Sequence, residues 1–301
     1  MTAESTTTPP VANTGRHNRL RRKLTPQKLF WNGFHYLFLT LASFIVVAPL
    51  YIAFISSFKT PIEMLRGEKT DWPENFGSLT NYWEFFDRAM VGTAFYNTVF
   101  VVTVSLVIVT LIGTMVAYVV DRFRFPGRRL ILLAYVVVMA VPHITTQVSL
   151  YQVILTLGLV NSKWALIVLY SGADIVSLYI FIVFLGSISR EVDESARIEG
   201  ANYFQIYWKI ILPLMTPAIS TVVILRTIHI YNDFILPYLY TPRVEDSTVS
   251  MLLYRANDMM SSTTEAILMA GIMIVIAPTL IAFLLLQRQI VSGMMRGAVK
   301  G

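Results

Sequence analysis

The chain contains no cysteine. That absence excludes a disulfide framework, a cysteine-ligated zinc or iron–sulfur site and a cysteine nucleophile. Charge is scarce too: Asp, Glu, Lys and Arg make up 14% of its 301 residues, against about 25% in an average soluble domain. There is no Gly-x-x-x-x-Gly-Lys-Ser/Thr loop to cradle phosphates, so the chain has no means of hydrolysing ATP by itself. No His-Glu-x-x-His or Gly-x-Ser-x-Gly pattern occurs, and the histidines at positions 17, 35, 143 and 229 are scattered. With no acid, base and nucleophile constellation, neither an enzyme nor a cofactor site is expected. His229 lacks a second His or carboxylate cluster that would complete a metal site. No internal repeat stands out.

What the chain has is apolar length. Hydrophobic residues make up 55% of it, and the mean hydropathy is +0.61. This composition fits a protein whose solvent is largely the lipid bilayer. A helix crosses a bilayer with about 20 mostly apolar residues. Six stretches qualify: 36–58, 94–119, 130–150, 164–185, 215–236 and 266–287. None shows the strict alternation of a barrel strand, and backbone groups in lipid must bond internally, so helices are predicted. The expected fold is all-α and polytopic.

The net charge of +6 has the same explanation. Basic residues cluster at the ends of apolar runs, where membrane topology places them, so nucleic acid is not an expected partner. Residues 1–35 form a basic tail; within it, 1–28 are rich in Thr and Pro, then in Arg and Lys, and read as disordered and cytoplasmic. A cleaved signal peptide is disfavoured, because the following apolar run is too long and lacks an Ala-x-Ala-like exit. The loop Asp121–Arg129 and the tail 288–301 are also basic. With six spans all three lie on one side, which places both termini in the cytoplasm. The opposite loops contain or border Trp72, Trp83, Trp164, Tyr82 and Tyr240, which suit interfacial anchoring. The organisation read is thus a tail (1–35), a first span with its extracytoplasmic loop (36–91), a core (92–287) and a cytoplasmic C-terminal tail (288–301). Pro142, Pro213, Pro217 and Pro278 fall within or beside spans, where proline kinks helices.

One cytoplasmic loop, 186–214, departs from the basic pattern: it holds Glu191, Asp193, Glu194 and Glu199 among its cations. Ser189 suits a helix N-cap with acidic residues in the first turn behind it. Glu194 and Arg197, three apart, are spaced to pair. Gly200 suits a helix exit, and Tyr203, Ile206, Ile210 and Ile211 recur at helical spacing before Pro213. The loop therefore reads as helix, turn, helix. Periodicity alone leaves open whether such a hairpin lies on the bilayer or docks a cytoplasmic partner.

The segment resembles the EAA motif of importer-type ATP-binding-cassette permeases: Glu194, Ala196, Gly200, Ile210, Leu212 and Pro213 match, with Ser195 in place of the first Ala. Gln287–Gly293 and Gly297–Gly301 resemble the C-terminus of maltose-type carbohydrate permeases, as do Phe125-Pro126-Gly127 and Tyr231-Asn232-Asp233-Phe234, where Tyr231 stands at a position usually Trp. The resemblance spans roughly residues 92–287. It implies a permease that moves a sugar across the cytoplasmic membrane, working with a second permease subunit, two ATP-binding-cassette ATPases and an extracytoplasmic solute-binding protein. By the same resemblance Glu194, Ala196, Gly200, Ala201 and Pro213 couple to the ATPase. The alternatives are a permease of the same superfamily for a non-sugar solute, and a channel, which needs no ATPase dock. Asp174 in span four and Arg226, His229, Asn232 and Asp233 in span five are polar groups at membrane depth, functional candidates by default. Tyr231, Asn232 and Asp233 are candidates to line the pathway, against helix–helix bonding as the plainer role.

Overall fold

In a computed structural model, residues 26–172, 174–259 and 264–298 are described, and all regular structure among them is helical. Of the tail expected over residues 1–35, with 1–28 read as disordered, residues 1–25 lie outside the described residues and 26–35 are helical, the first turns of the long helix that follows. The contacts separate a unit ending at Leu50 from one beginning at Tyr51. Helix α1, Pro26–Ser56, spans 31 residues, a rise of about 46 Å against a hydrocarbon core of about 30 Å. Its apolar residues Phe38, Phe44, Ile45 and Val46 are exposed, as expected of a surface that meets lipid or another chain.

From Tyr51 on, the segment before the next long helix carries two short helices, α2 (Pro61–Arg66) and α3 (Thr80–Arg88). Thr60 and Glu63 cap α2 reciprocally, each side chain taking the other's backbone N–H. Lys59 is almost fully buried and donates to the carbonyls of Glu68 at 2.8 Å and Lys69 at 3.2 Å. Asn81 Nδ2 donates to the carbonyls of Ser57 and Lys59. These bonds answer the polar groups that folding the loop takes from water.

Helix α4, Val91–Arg122, is an unbroken span and the hub of this unit. Three of the six expected spans are not single helices. The stretch predicted at 130–150 is α5 (Arg128–Ala140) followed by α6 (His143–Thr156), turned by 108°. Pro142 has no N–H and holds Val141 extended (φ −82°, ψ 120°), which ends α5. The stretch 164–185 is α7 (Lys163–Tyr170) and α8 (Ile175–Leu185), turned by 46°. Asp174 is extended there and caps α8 instead of continuing α7. After α9 (Glu191–Ile198), α10 (Tyr203–Leu214) meets α11 (Thr216–Asn232) at 68°. Span five was expected to continue to 236, but α11 stops at Asn232: Asp233 is extended, and a short helix α12 (Ile235–Tyr240) follows. Three apolar helices long enough to cross and three bent pairs give the roughly six spans expected.

Two 3₁₀ turns and α13 (Leu252–Met259) lead to α14, Glu265–Ala298. The tail expected from 288 is helical to Ala298, because the residues that follow the apolar run, such as Gln287 and Arg288, are good helix formers. Phe85 on α3 is fully buried with Val91, Ala94, Leu252 and Ile267. Gly271 on α14 gives its ring room: a Cβ there would lie far inside van der Waals contact.

Candidate coupling hairpin and membrane cleft

The EAA segment folds as the expected hairpin. Ser189 Oγ accepts from Glu191 N at 3.3 Å, so it caps the start of α9. At the other end Gly200 has φ +91°. Gly200 N donates to Arg197 O and Ala201 N to Ala196 O, both at 3.0 Å, the bond pair of a Schellman termination. Asn202 then caps α10, with Gln205 returning the bond. Leu212 N donates to Tyr207 O, five residues back, so residues Tyr207–Ile211 form a π turn. The wide turn accommodates Pro213, which has no N–H for the ordinary register.

The inner face of the hairpin is built into the membrane unit. Ala196, Ile206, Tyr207 and Ile211 pack with Ala117 and Tyr118 of α4, Leu178, Phe181 and Leu185 of α8, and Met215, Ala218 and Val222. Thr114 Oγ1 donates to Thr110 O, so Tyr207 supplies the proton in the 2.8 Å contact between their hydroxyls.

An ion-pair cluster fixes the base. Arg122, with its side chain only 7% exposed, has Nη1 3.0 Å from Asp121 Oδ2 and Nε 3.0 Å from Asp193 Oδ2. Its Nη2 donates to Ile188 O at 3.0 Å. Tyr118 donates to Asp193 Oδ1, and Arg190 reaches the Asp121 carbonyl at 2.9 Å. One guanidinium thus joins the end of α4 to the first turn of α9. Sequence reasoning counted Arg122 as a topology charge and missed this role. The available signal was Asp121, an acid placed next to it at the end of a span.

The outer face is open. Ile198 is 88% exposed and Phe204 65%. Glu194, Gly200 and Pro213 are exposed, Ala201 is half-buried and Ala196 is buried. A Cβ at Gly200 would touch nothing in the chain, so its positive φ is what calls for glycine. Arg197 does not pair with Glu194 as its spacing suggested. Its guanidinium lies over the Tyr203 ring, 5.0 Å from the centroid, where the Gly200 turn has brought that ring within reach.

The second polar grouping lies at the break in span four. Asp174 accepts from the backbone N–H groups of Val176 and Ser177, both at 3.2 Å, and from the Ser177 hydroxyl. Arg226 Nη2 donates to the Tyr170 carbonyl at the end of α7, and its Nε lies 3.7 Å from Asp174 Oδ2. Three backbone groups at the break, the Tyr170 carbonyl and the N–H groups of Val176 and Ser177, thereby gain side-chain partners. Tyr170 Oη donates to Asp233 Oδ2 at 3.0 Å, while Asp233 Oδ1 accepts from Ile235 N at 2.9 Å and starts α12. Asp233 lies just beyond the helix that carries Arg226 and His229. Arg226 and Asp233 converge on Tyr170, and Arg226 and His229 line an open cleft of about 420 Å³ with Tyr135 and Asp174. Of the pathway candidates, Tyr231 donates to Val275 O on α14 at 2.9 Å, and Asn232 donates to Ile228 O of its own helix.

Known proteins resemble this chain over most of its length. The family model described as "Binding-protein-dependent transport system inner membrane component" covers residues 109–296, more than half of the chain. The chain is 27% identical over 284 residues to the maltodextrin transport system permease protein MalD of Streptococcus pneumoniae, covering 94% of this chain and 98% of that one. It is 32% identical over 272 residues to the probable ABC transporter permease protein YurM of Bacillus subtilis, covering 88% of each. Its fold is similar to a chain in the crystal structure of a bacterial ABC transporter involved in alginate import, with TM-score 0.77, 19% identity, and coverage of 88% of this chain and 98% of that one. The chain belongs to the family of inner-membrane components of binding-protein-dependent transport systems.

Proposed function

We propose that this chain is the permease that carries a sugar across the cytoplasmic membrane, with both termini cytoplasmic. A second permease completes the path, two ATP-binding-cassette ATPases drive it, and an extracytoplasmic binding protein delivers the solute. The observation that carries this reading is the asymmetry of the hairpin. Its base is held by Arg122, Asp121 and Asp193, while its tip offers Ile198, Gly200 and Phe204 to solvent. An exposed apolar tip on a fixed base suits a partner surface that must transmit force. Glu194, Ala196, Gly200, Ala201 and Pro213 are the coupling residues: Glu194 is presented outward, Ala196 and Ala201 close the turn, and Pro213 sets the wide turn that follows. The sugar assignment is supported by relatives such as the maltodextrin permease. Tyr231, Asn232 and Asp233 shape the pathway from its wall, with Asp233 bonded to Tyr170.

Co-expression with the partner permease and ATPase tests this, read by native mass spectrometry and by ATP-driven uptake in proteoliposomes. Two ATPases per pair of permeases are expected. Gly200→Trp is expected to abolish uptake and the stimulation of hydrolysis by loaded binding protein. Failure of the ATPase to associate with folded permease, or normal uptake by Gly200→Trp, overturns the reading.

A further inference from the structure

The break in span four opens two adjoining spaces. The larger, about 420 Å³, lies between α5, α8 and α11, within the roughly 300–1,000 Å³ of small-molecule sites. A smaller one of about 100 Å³ shares Tyr135, Asp174 and Ser177 with it. Two buried polar atoms on these walls have no hydrogen-bond partner among the described residues: Ser171 Oγ in the smaller space and Arg226 Nε in the larger. Buried polar groups are ordinarily bonded, so each is a position where a ligand oxygen gains a partner.

The charge of the walls selects the ligand. Arg226 is the guanidinium of the larger space, and Asp174 lies 3.7 Å from it. The pair cancels at the distance of a bound ligand. A carboxylate entering to meet Arg226 would also face Asp174 and be repelled. A neutral hydroxyl meets donors at Arg226 Nε and Ser171 and an acceptor at Asp174. An imidazole such as His229 offers both functions at the rim, and the Tyr135 ring supplies an apolar face for a sugar's C–H surface.

We infer that this cleft is a site for a neutral, hydroxyl-rich oligosaccharide, and that it discriminates against acidic sugars. The inference rests on the sugar-importer reading above and assigns its substrate a charge class and a location. Arg226 then has two roles: its Nη2 holds the end of α7, and its Nε waits for the ligand.

The lack of cysteine makes the test direct. His229→Cys and, separately, Met139→Cys place one thiol in the cleft; Leu65→Cys, at an 87% exposed residue outside it, is the control. Each is assembled with cysteine-free partners and binding protein, trapped with ATP by an ATPase variant unable to hydrolyse it, and treated with a maleimide. The probes are maltotriose, raffinose, galactotriose and trigalacturonate, with uptake of each measured in the hydrolysing complex. A transported neutral probe is expected to slow modification of both cleft variants by at least about fivefold, as for a site more than four-fifths occupied, and to leave the control unchanged. Uptake of a neutral probe without protection at either cleft position overturns the site and leaves the importer reading standing. Uptake confined to trigalacturonate, or protection by it, overturns the charge class. A complex that assembles no ATPase, or takes up none of the four probes, overturns the importer reading or its sugar assignment, and the site with it.

Discussion

Removing Arg122 is the most demanding perturbation of the proposed coupling hairpin. Its guanidinium has one nitrogen 3.0 Å from Asp121, another 3.0 Å from Asp193 and a third bonded to the Ile188 carbonyl. Arg122→Met preserves most of the stem volume and deletes all three contacts. It leaves two carboxylates that are only 14% and 13% exposed, compensated in part by the more exposed Arg190, 3.9 Å from Asp121, and by the Tyr118 hydroxyl on Asp193. Breaking a buried pair by removing one partner costs about 3–5 kcal/mol. The residual exposure favours the lower end, near 3 kcal/mol, about a hundredfold or more in the stability of the α4–α9 junction. Asp193→Asn removes one of the attractions and one of the stranded charges, so the double variant should recover part of the loss. A coupling energy of about 1–3 kcal/mol is expected from the cycle. The assay is thermal unfolding in detergent for all four proteins, with ATP-driven uptake and hydrolysis in the assembled complex. Uptake is expected to fall further than hydrolysis, because the hairpin loses its anchor to α4 while its tip is unaltered. Additive single and double effects, or a loss of under about 0.5 kcal/mol with normal uptake, would refute the account of Arg122 as the anchor.

Three further outcomes follow from other positions. Gly200→Ala adds no clash within the chain but places a side chain at φ +91°, so a stability loss of about 1–2 kcal/mol is expected. Association with the ATPase should be retained in this variant, unlike Gly200→Trp, as read by denaturation and native mass spectrometry. Gly271→Ala drives a methyl into the buried Phe85 ring; overpacking should cost about 1–3 kcal/mol, with partial recovery in Gly271→Ala combined with Phe85→Leu, by thermal unfolding. Bonds from the backbone N–H groups of Glu74 and Thr60, with the Thr60 side chain, hold the Glu63 carboxyl below its ordinary value of 4.5. A depressed folded-state value contributes stability above the ordinary pKa that is lost as pH falls through the lowered one. Trp72 fluorescence should therefore report loosening of the α2 loop at acid pH below 4.5, and Glu63→Gln should remove that pH dependence.

How far the sequence reached differs between span and site. The hairpin was legible because its signals are local: Ser189 before an acidic turn, Gly200 where φ must be positive, and Pro213 after an amphipathic stretch. The breaks within spans were only half legible. Pro142 announces its own break, because a missing N–H acts on its own backbone. Nothing in the apolar run 164–185 announces that Asp174 will cap a new helix; that depends on Arg226, 52 positions later, receiving the carbonyl that α7 leaves behind.

Composition and apolar length by themselves determined that this chain lives in a bilayer as helices, since lipid offers unpaired backbone groups no partner. Local spacing determined the hairpin and, with it, the family resemblance. Tertiary structure alone decided which charges are structural and which line space. Arg122 and Arg226 look alike in sequence, each a cation near the end or middle of an apolar run. One is buried with two carboxylates at 3.0 Å and a bonded carbonyl; the other meets one carboxylate at 3.7 Å and a carbonyl while lining a cleft. The difference lies in partners contributed from other helices, 71 positions away for Arg122 and 52 for Arg226, and pairing over such distances is set only when the helices pack.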